Sequence, residues 1–390
     1  MFYAAAYPAN PLMLPVLSLL LHIYVGVRLL PELIGWPVLF GLLASSLVSS
    51  TLFMPMGIGL AARLSGAGHN TARAVIWLGW AGMGLFSTLF VLTVAREVAL
   101  LLAFAADAAR PGMLGSAFDR NSALGVTVLG FLITLLGFSN ARRTAAVIRV
   151  NVPIRNLPVA LQGFQLVQIS DIHIGPTIRG GYLRRIVETV NRLRPDMVAI
   201  TGDLVDGSVH ELAAHVSPLA ELQSRHGSYF VTGNHEYYSG AHAWIAELRR
   251  LGITVLLNAH VVLSHDGALA VVAGVTDYNA GHFDPAHRSN PLAAIADAPA
   301  DAGVKILLAH QPRSAAAAAD AGFDLQLSGH THGGQFMPWN FFVKMQQPFV
   351  AGLHRLRQLW VYTSRGTGYW GPPKRFGAPS EITLITLTTA

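Results

Sequence analysis

The stretch Val167-Gln168-Ile169-Ser170-Asp171-Ile172-His173 decides how the rest of the chain is read. An apolar run stops at a carboxylate, and an imidazole follows two residues later. Four later runs end in the same manner. Met197–Thr201 leads into Gly202-Asp203, and Ser228–Thr232 into Gly233-Asn234-His235-Glu236. Lys305–Ala309 leads into His310, and Asp324–Leu327 into Gly329-His330-Thr331-His332. In open α/β sheets, ligands bind outside the carboxyl ends of the strands. These polar groups are therefore expected to collect on one rim.

Around these runs, residues 164–390 alternate short apolar segments with amphipathic ones, the pattern of an α/β domain. Further strands are expected at Ile253–Leu257, Leu269–Gly274, Leu359–Thr363 and Ile382–Thr388. Leu183, Ile186, Val187, Val190 and Leu193 share one helical face, and Pro195 ends that helix. Weaker helices fit Glu211–Ser224, Ala241–Leu251 and Ser314–Ala321. Several strands with few long crossovers point to two sheets packed together under flanking helices.

The residue types on the rim suggest metal chemistry. The chain has no cysteine, so disulfides, thiolate nucleophiles and Cys-ligated zinc are excluded. Carboxylate, imidazole and amide ligands remain, and they suit Mn, Fe or Zn. Side chains two apart in a strand point to one face, so Asp171 and His173 are expected to grip one ion. His330 and His332 are expected to span two ions. Asp203, isolated after a glycine, suits a bridging carboxylate, and Asn234 offers a neutral amide oxygen. Two ions about 3.5–4 Å apart clamp the attacking and leaving oxygens of an in-line displacement, and they lower the pKa of a bridging water toward neutrality. Attack by that metal-activated hydroxide leaves His235, beside a ligand but with its own side chain free, as the general acid for the leaving oxygen.

Each piece has an ordinary explanation. A lone Asp-x-His is commonly a solvated loop, a Gly-Asp after a strand is commonly a turn, and a lone His310 is commonly a satisfied core histidine. The five together, in this order and each directly after an apolar run, outweigh those explanations. The same residues carry a resemblance. Residues 164–390 resemble the calcineurin-like metallophosphoesterase superfamily, whose pattern is Asp-x-His, Gly-Asp, Gly-Asn-His-Asp/Glu, His and Gly-His-x-His. The resemblance implies a four-layer αββα sandwich and metal-dependent phosphoric ester hydrolysis at a binuclear centre. It implies one ion held by Asp171, His173, Asp203 and His332, and a second held by Asp203, Asn234, His310 and His330. Ser364-Arg365-Gly366-Thr367-Gly368 and Pro373-Lys374-Arg375-Phe376-Gly377 resemble the membrane-associated bacterial branch.

The first part of the chain is different. The whole sequence has 390 residues, 52% hydrophobic and 12% charged, against about 25% charged in ordinary soluble domains. Four apolar stretches, at about 12–31, 33–60, 74–95 and 123–139, each approach the roughly 17–25 residues needed to cross a bilayer. An all-α transmembrane domain of about four helices is expected over 1–143, then a linker over 144–163, then the catalytic domain over 164–390. Arg96 and Glu97 interrupt the third stretch, and the apolar run resumes to Ala106, so that helix is expected to continue along the surface. Arg28, Arg96 and Glu97 are expected near helix ends, with their charges snorkelling to water. Residues 1–150 hold nine Arg against four acids, and the rest holds eighteen Lys and Arg against seventeen acids. The basic character therefore belongs to the membrane half and does not indicate a nucleic-acid face. With four spans, Arg63, Arg73, Arg142, Arg143, Arg149 and Arg155 share one side, against Arg28, Arg110 and Arg120 on the other. The bias puts the catalytic domain on the cytoplasmic side of a multi-pass cell (inner) membrane protein.

Residues 336–362 mix Phe336, Met337, Trp339, Phe341, Phe342, Met345 and later apolar residues with Lys344, Arg355 and Arg357. They are expected either as core under a long loop or as an amphipathic flap beside the site. Arg365 and Arg375 are candidates to pair with a substrate phosphate, and Asp277 either orients a ligand or caps a turn. The expected function is hydrolysis of a lipid-linked or amphiphilic phosphate ester or pyrophosphate. The alternatives are a nucleotide or cyclic-nucleotide phosphodiesterase, and a membrane transporter or sensor carrying a regulatory phosphoesterase module. The expected partners are the lipid bilayer and a phosphorylated substrate, with no nucleic acid. Nothing in the sequence fixes the oligomeric state.

Overall fold

The computed structural model describes residues 13–63, 70–109 and 117–390. The first residue of the 12–31 stretch, residues 64–69 and Arg110 lie outside the described residues, as does the side chain of Arg63. The chain divides into two compact units: Met1–Asn140 with Gly371–Phe376, and Ala141–Trp370 with Gly377–Ala390.

Among the described residues, the first unit contains four long apolar helices, α1 (Met13–Leu29), α2 (Pro37–Arg63), α3 (Asn70–Ala109) and α4 (Phe118–Arg142). Three are long and apolar enough to cross a membrane, over Pro37–Leu60, Asn70–Ala109 and Phe118–Arg142, with mean hydropathies of 1.7, 2.1 and 2.0. The fourth expected span, α1, has 17 residues and sits at the lower limit of length. The helices share a core that includes Leu29, Leu43, Leu89 and Ala123. Their outer faces are also apolar: Val38 is 74% exposed, Leu101 68%, Phe104 71% and Leu135 63%. Such an exterior suits lipid better than water.

Helix α3 continues unbroken past Arg96, for 40 residues in all, about 60 Å at 1.5 Å per residue. One expectation for this region fails: Arg96 does not snorkel. Its side chain is 3% exposed and donates to Ser122 Oγ at 2.9 Å, Glu97 Oε1 at 3.0 Å and the Asp119 carbonyl at 3.0 Å. These partners satisfy the charge inside the bundle, and the helix need not break to reach water. Arg28 pairs with Glu97 as well. The segment Gly371–Phe376 packs in the same unit: Lys374 Nζ donates to the Gly84 carbonyl at 2.9 Å and to Thr88 Oγ1.

The second unit is built on two six-stranded mixed sheets. Its strands are β1 (Ala146–Ile154), β2 (Gln165–Ile169), β3 (Met197–Ile200), β4 (Ser228–Phe230), β5 (Thr254–Val255), β6 (Ala259–His265), β7 (Ala268–Gly274), β8 (Val304–Leu308), β9 (Leu325–Ser328), β10 (Gly352–Leu356), β11 (Leu359–Thr363) and β12 (Glu381–Thr389). The first sheet has the order β1-β12-β2-β3-β4-β5, the second β10-β11-β9-β8-β7-β6. Alternate side chains of both sheets meet in one core, with Leu166, Met197, Ala199 and Ile385 from the first and Val272, Ile306, Leu308 and Leu327 from the second. The outer face of the first sheet packs on α5 (Gly180–Leu193), α6 (Val209–Val216) and α8 (Ala241–Arg250), through Ile186, Leu212, Trp244 and Leu248. A five-residue helix, α7 (Asn234–Tyr238), precedes α8. The outer face of the second sheet is covered by α9 (Pro291–Ala294) and α10 (Ala315–Asp320), through Ala294, Ala315 and Ala318. The result is the four-layer αββα sandwich. Helix α5 buries the expected stripe of Leu183, Ile186, Val187 and Val190, and Arg194 closes it in the left-handed conformation before Pro195.

Three strands are not foreseen. Residues 144–163, expected as a linker, contain β1, which pairs in parallel with β12 over nine residues. It is an edge strand, so Pro153 costs no interior ladder bond, and its mostly half-exposed face lacks the apolar signal of a central strand. β6 and β10 likewise lie at a sheet edge.

Candidate metal centre

All five motifs lie just beyond the carboxyl ends of β2, β3, β4, β8 and β9. Both sheets therefore contribute to one rim. The reason expected for the Asp171 and His173 placement is wrong in detail. Strand β2 stops at Ile169, and Asp171 and His173 lie in the turn after it, with φ of 53° and 55°. Asp203, His330 and His332 are left-handed too, with φ of 51°, 69° and 51°. Asp and His enter this region more readily than most residues, yet each such residue stores on the order of 1–3 kcal/mol. The strain bends each chain end sharply, so the side chains turn inward instead of alternating.

Two glycines permit the crowding. A Cβ on Gly329 would lie 2.1 Å from Asp171 Oδ2, and one on Gly233 would lie 2.2 Å from Asp203 Oδ1. Neighbouring turns are stitched together. Asp171 N donates to the Gly202 carbonyl at 3.0 Å, His173 N to the Asp203 carbonyl at 3.1 Å, and Gly329 N to the His310 carbonyl at 2.9 Å. Thr367 N and Gly368 N donate to the carbonyls of Ser170 and Asp171 at 2.7 and 3.1 Å. The Gly366-Thr367-Gly368 turn thus braces the first motif.

The donor atoms fall into two adjoining groups, and His235 joins His173 and Asp203 in a third that overlaps both. Asp171, His173 and His332 form one, and Asp203, His310 and His330 the other, each with its donor atoms within 4.8 Å of one another. His173 Nε2 lies 3.0 Å from His332 Nε2, and His310 Nε2 lies 3.2 Å from His330 Nδ1. Asp203 Oδ2 stands between the groups, 3.1 Å from His310 Nε2 and 3.9 Å from His173 Nε2. Asp171 Oδ2 and Asn234 Oδ1 are buried acceptors without a hydrogen-bond partner. Imidazole nitrogens facing each other at 3 Å beside orphaned buried oxygens are the arrangement that bound cations satisfy. The residues present therefore fit two divalent ions.

Partners behind these groups set which ring nitrogen faces the rim. His310 Nδ1 donates to the Thr201 carbonyl at 2.7 Å, leaving Nε2 inward. His173 Nδ1 is held by Asp206 Oδ1 at 3.0 Å, and the same oxygen holds His235 Nδ1 at 2.6 Å. Asp206 was not singled out in the sequence; its only signal was lying three residues after Asp203. Glu236, fully buried, accepts from the backbone amides of Gly233, Asp203 and Leu204 at 2.6, 3.0 and 2.8 Å. It locks the second motif to the third. Burial and Asp203 push its carboxyl up to about 7. Burial likewise raises Asp171. Burial opposes ionisation of Asp203, but His310 and His235 hold it well below the usual range. Burial also opposes charge on His235, yet Asp203 and Asp206 raise it to about 9. Burial and His310 lower His330 to about 3.

Residues 164–334 match the calcineurin-like phosphoesterase family. A 38% identical metallophosphoesterase of Campylobacter jejuni aligns over 266 residues, 68% of this chain and 69% of that one. This chain belongs to the calcineurin-like metallophosphoesterases. Similarity extends to proteins described as transmembrane proteins with a metallophosphoesterase domain, 40% identical in Danio rerio over 276 residues and 39% in Bos taurus over 269. The matches cover 68% and 66% of this chain, but only 63% and 61% of those proteins. The chain thus spans under two thirds of these vertebrate relatives. Membership in this family of metal-dependent phosphoester hydrolases agrees with the donor set on the rim.

The remaining candidates resolve differently. Arg365 pairs with the buried Glu381 at 2.7 Å, and Arg375 is fully buried within the helical unit. Arg375 is closed to solvent, whereas the Arg365 side chain remains 35% exposed beside its partner. Asp277 accepts from Asn279 N at 2.8 Å and from Gln311 Nε2 at 2.9 Å, so it closes a turn behind the rim. The 336–362 segment splits. Its second half forms β10 and β11, while its first half forms a short helix, α11 (Trp339–Val343), next to the His332 turn. There Trp339, Phe341, Phe342 and Met345 are 45%, 58%, 54% and 81% exposed.

Proposed function

We propose that this metallophosphoesterase is a membrane-anchored, two-metal enzyme that hydrolyses an amphiphilic or lipid-linked phosphate ester or pyrophosphate. The observation that carries the chemistry is the pair of facing imidazole couples joined by Asp203, with the orphaned oxygens of Asp171 and Asn234 beside them. In this reading Asp171, His173, Asp203 and His332 hold one ion, and Asp203, Asn234, His310 and His330 the other. Bound ions would activate water and neutralise phosphate charge. His235 acts as general acid: Asp206 holds its Nδ1, so its Nε2 is the nitrogen that donates to the leaving oxygen. Glu236 and the Gly366-Thr367-Gly368 turn keep the ligand turns in register. The substrate class rests on the exposed aromatic helix α11 beside the His332 turn and on the apolar exterior of α1–α4. The same reading keeps the catalytic unit on the cytoplasmic side of the cell membrane, from the arginine bias.

The test uses the full chain in detergent with Mn²⁺. It should hydrolyse a generic aryl phosphodiester. Asp203→Asn should lose at least about 100-fold, above the 10–100-fold typical of residues that only support ligands, and should bind fewer Mn²⁺ in a metal-content measurement. Phe341→Ser with Phe342→Ser should slow hydrolysis of a phospholipid-like substrate in vesicles and leave the aryl diester rate unchanged. Equal loss on both substrates would remove the amphiphile assignment. No metal-dependent hydrolysis of any phosphoester would remove the reading itself.

A further inference from the structure

We propose that His242, Asp284 and His287 form a separate divalent-cation site of the zinc type, outside the catalytic rim and independent of its chemistry. His242 stands in the first turn of α8; Asp284 caps the short turn Pro285–His287, and His287 ends it. Their donor atoms lie within 4.8 Å of one another. Asp284 Oδ1 accepts from Ala286 N at 2.9 Å, which fixes the carboxylate. Its other oxygen, Oδ2, lies 3.1 Å from His242 Nε2 and 3.9 Å from His287 Nε2. With ligand bonds of about 2.0–2.2 Å, a tetrahedral zinc ion needs donors roughly 3.3–3.6 Å apart. The two distances bracket that range, so a shift of a few tenths of an ångström brings Asp284 into ligand spacing with each histidine.

The orientation of the rings favours a ligand site over a simple ion pair. His287 Nδ1 meets the Tyr237 hydroxyl at 2.8 Å, which leaves Nε2 for the cation, as an outer hydrogen bond does for a metal-bound histidine. One imidazolium on Asp284 would make an ion pair. A second one, with ring centroids 5.0 Å apart, would be repelled, whereas two neutral imidazoles and a carboxylate are a zinc donor set. Burial lowers His287 toward that neutral form. His242 is 75% exposed at its side chain, so ions have access and a fourth position stays open to water. Tyr237 belongs to α7, the helix that also carries Asn234 and His235. An ion here would pin the 284–287 turn to α8 behind that helix.

The full-length protein in detergent is titrated with Zn²⁺ against a chromophoric chelator, and bound zinc is counted by elemental analysis. Wild type should bind one more equivalent than His242→Ala and than Asp284→Asn, with affinity at that site falling at least about tenfold. His242→Ala should keep the Mn²⁺-dependent hydrolysis rate. His242 is exposed, so its loss should leave folding intact. Unchanged zinc stoichiometry and affinity in both variants would overturn the site. Asp203→Asn separates the two readings: an equivalent that persists there and disappears with His242→Ala belongs to this site even where no hydrolysis is found.

Discussion

Replacing Asp206 by Asn should move a pH limb as well as a rate. One carboxylate oxygen holds His173 Nδ1 at 3.0 Å and His235 Nδ1 at 2.6 Å. Its negative charge favours the imidazolium form of His235, which lies raised at about 9. Asn preserves an acceptor oxygen but removes the charge, so the pKa of His235 must fall. A neighbouring opposite charge is worth about 1–3 pKa units, or about 1.4–4 kcal/mol. The general acid must be protonated to act, so activity is lost as pH rises through that pKa. In Asp206→Asn the basic limb of kcat/KM should therefore shift toward lower pH by roughly one to three units. The neutral-pH rate should fall about 10–100-fold, because His173 also loses its charged partner. The assay is kcat/KM against pH on an aryl phosphodiester at saturating Mn²⁺, with His235→Ala alongside. His235→Ala should lack that limb altogether. A basic limb in the same place in wild type and Asp206→Asn would refute the assignment of Asp206 as the residue that holds the proton on His235.

Two further outcomes are expected. Gly329→Ala would place a methyl group 2.1 Å from both Asp171 Oδ2 and Ser170 Oγ. It should lower Mn²⁺ content while far-ultraviolet circular dichroism stays unchanged, since the strands on either side do not depend on that position. A periplasmic-active reporter enzyme fused after Ala390 should be silent and a cytoplasm-active one functional; the reverse pattern would overturn the orientation read from the arginines.

The ligand motifs were legible because each is a short polar word after an apolar run, and strand ends gather on one edge of a sheet whatever its strand order. The central strands were legible for the same reason, being continuous apolar runs buried on both faces. Edge strands β1, β6 and β10 were not, because burying one side leaves little pattern. The burial of Arg96 is not legible in the sequence, because its charge depends on Ser122, Glu97 and the Asp119 carbonyl, and two of those partners come from another helix. Arg375 looked like a phosphate ligand in the sequence, and its burial appears only in the folded helical unit.

For residues 167–173, local chemistry alone determines that a strand ends in a carboxylate and an imidazole. The absence of cysteine determined that any metal there must use oxygen and nitrogen donors. The tertiary structure decided how those donors meet. Asp171 and His173 converge through left-handed turns and not through strand alternation, and glycines 233 and 329 let distant turns approach within van der Waals limits. Asp206 acquires its role only because two histidines 62 residues apart in the chain reach the same carboxylate oxygen. Such pairings join residues with no sequence relation, and only packing of the two sheets brings them together.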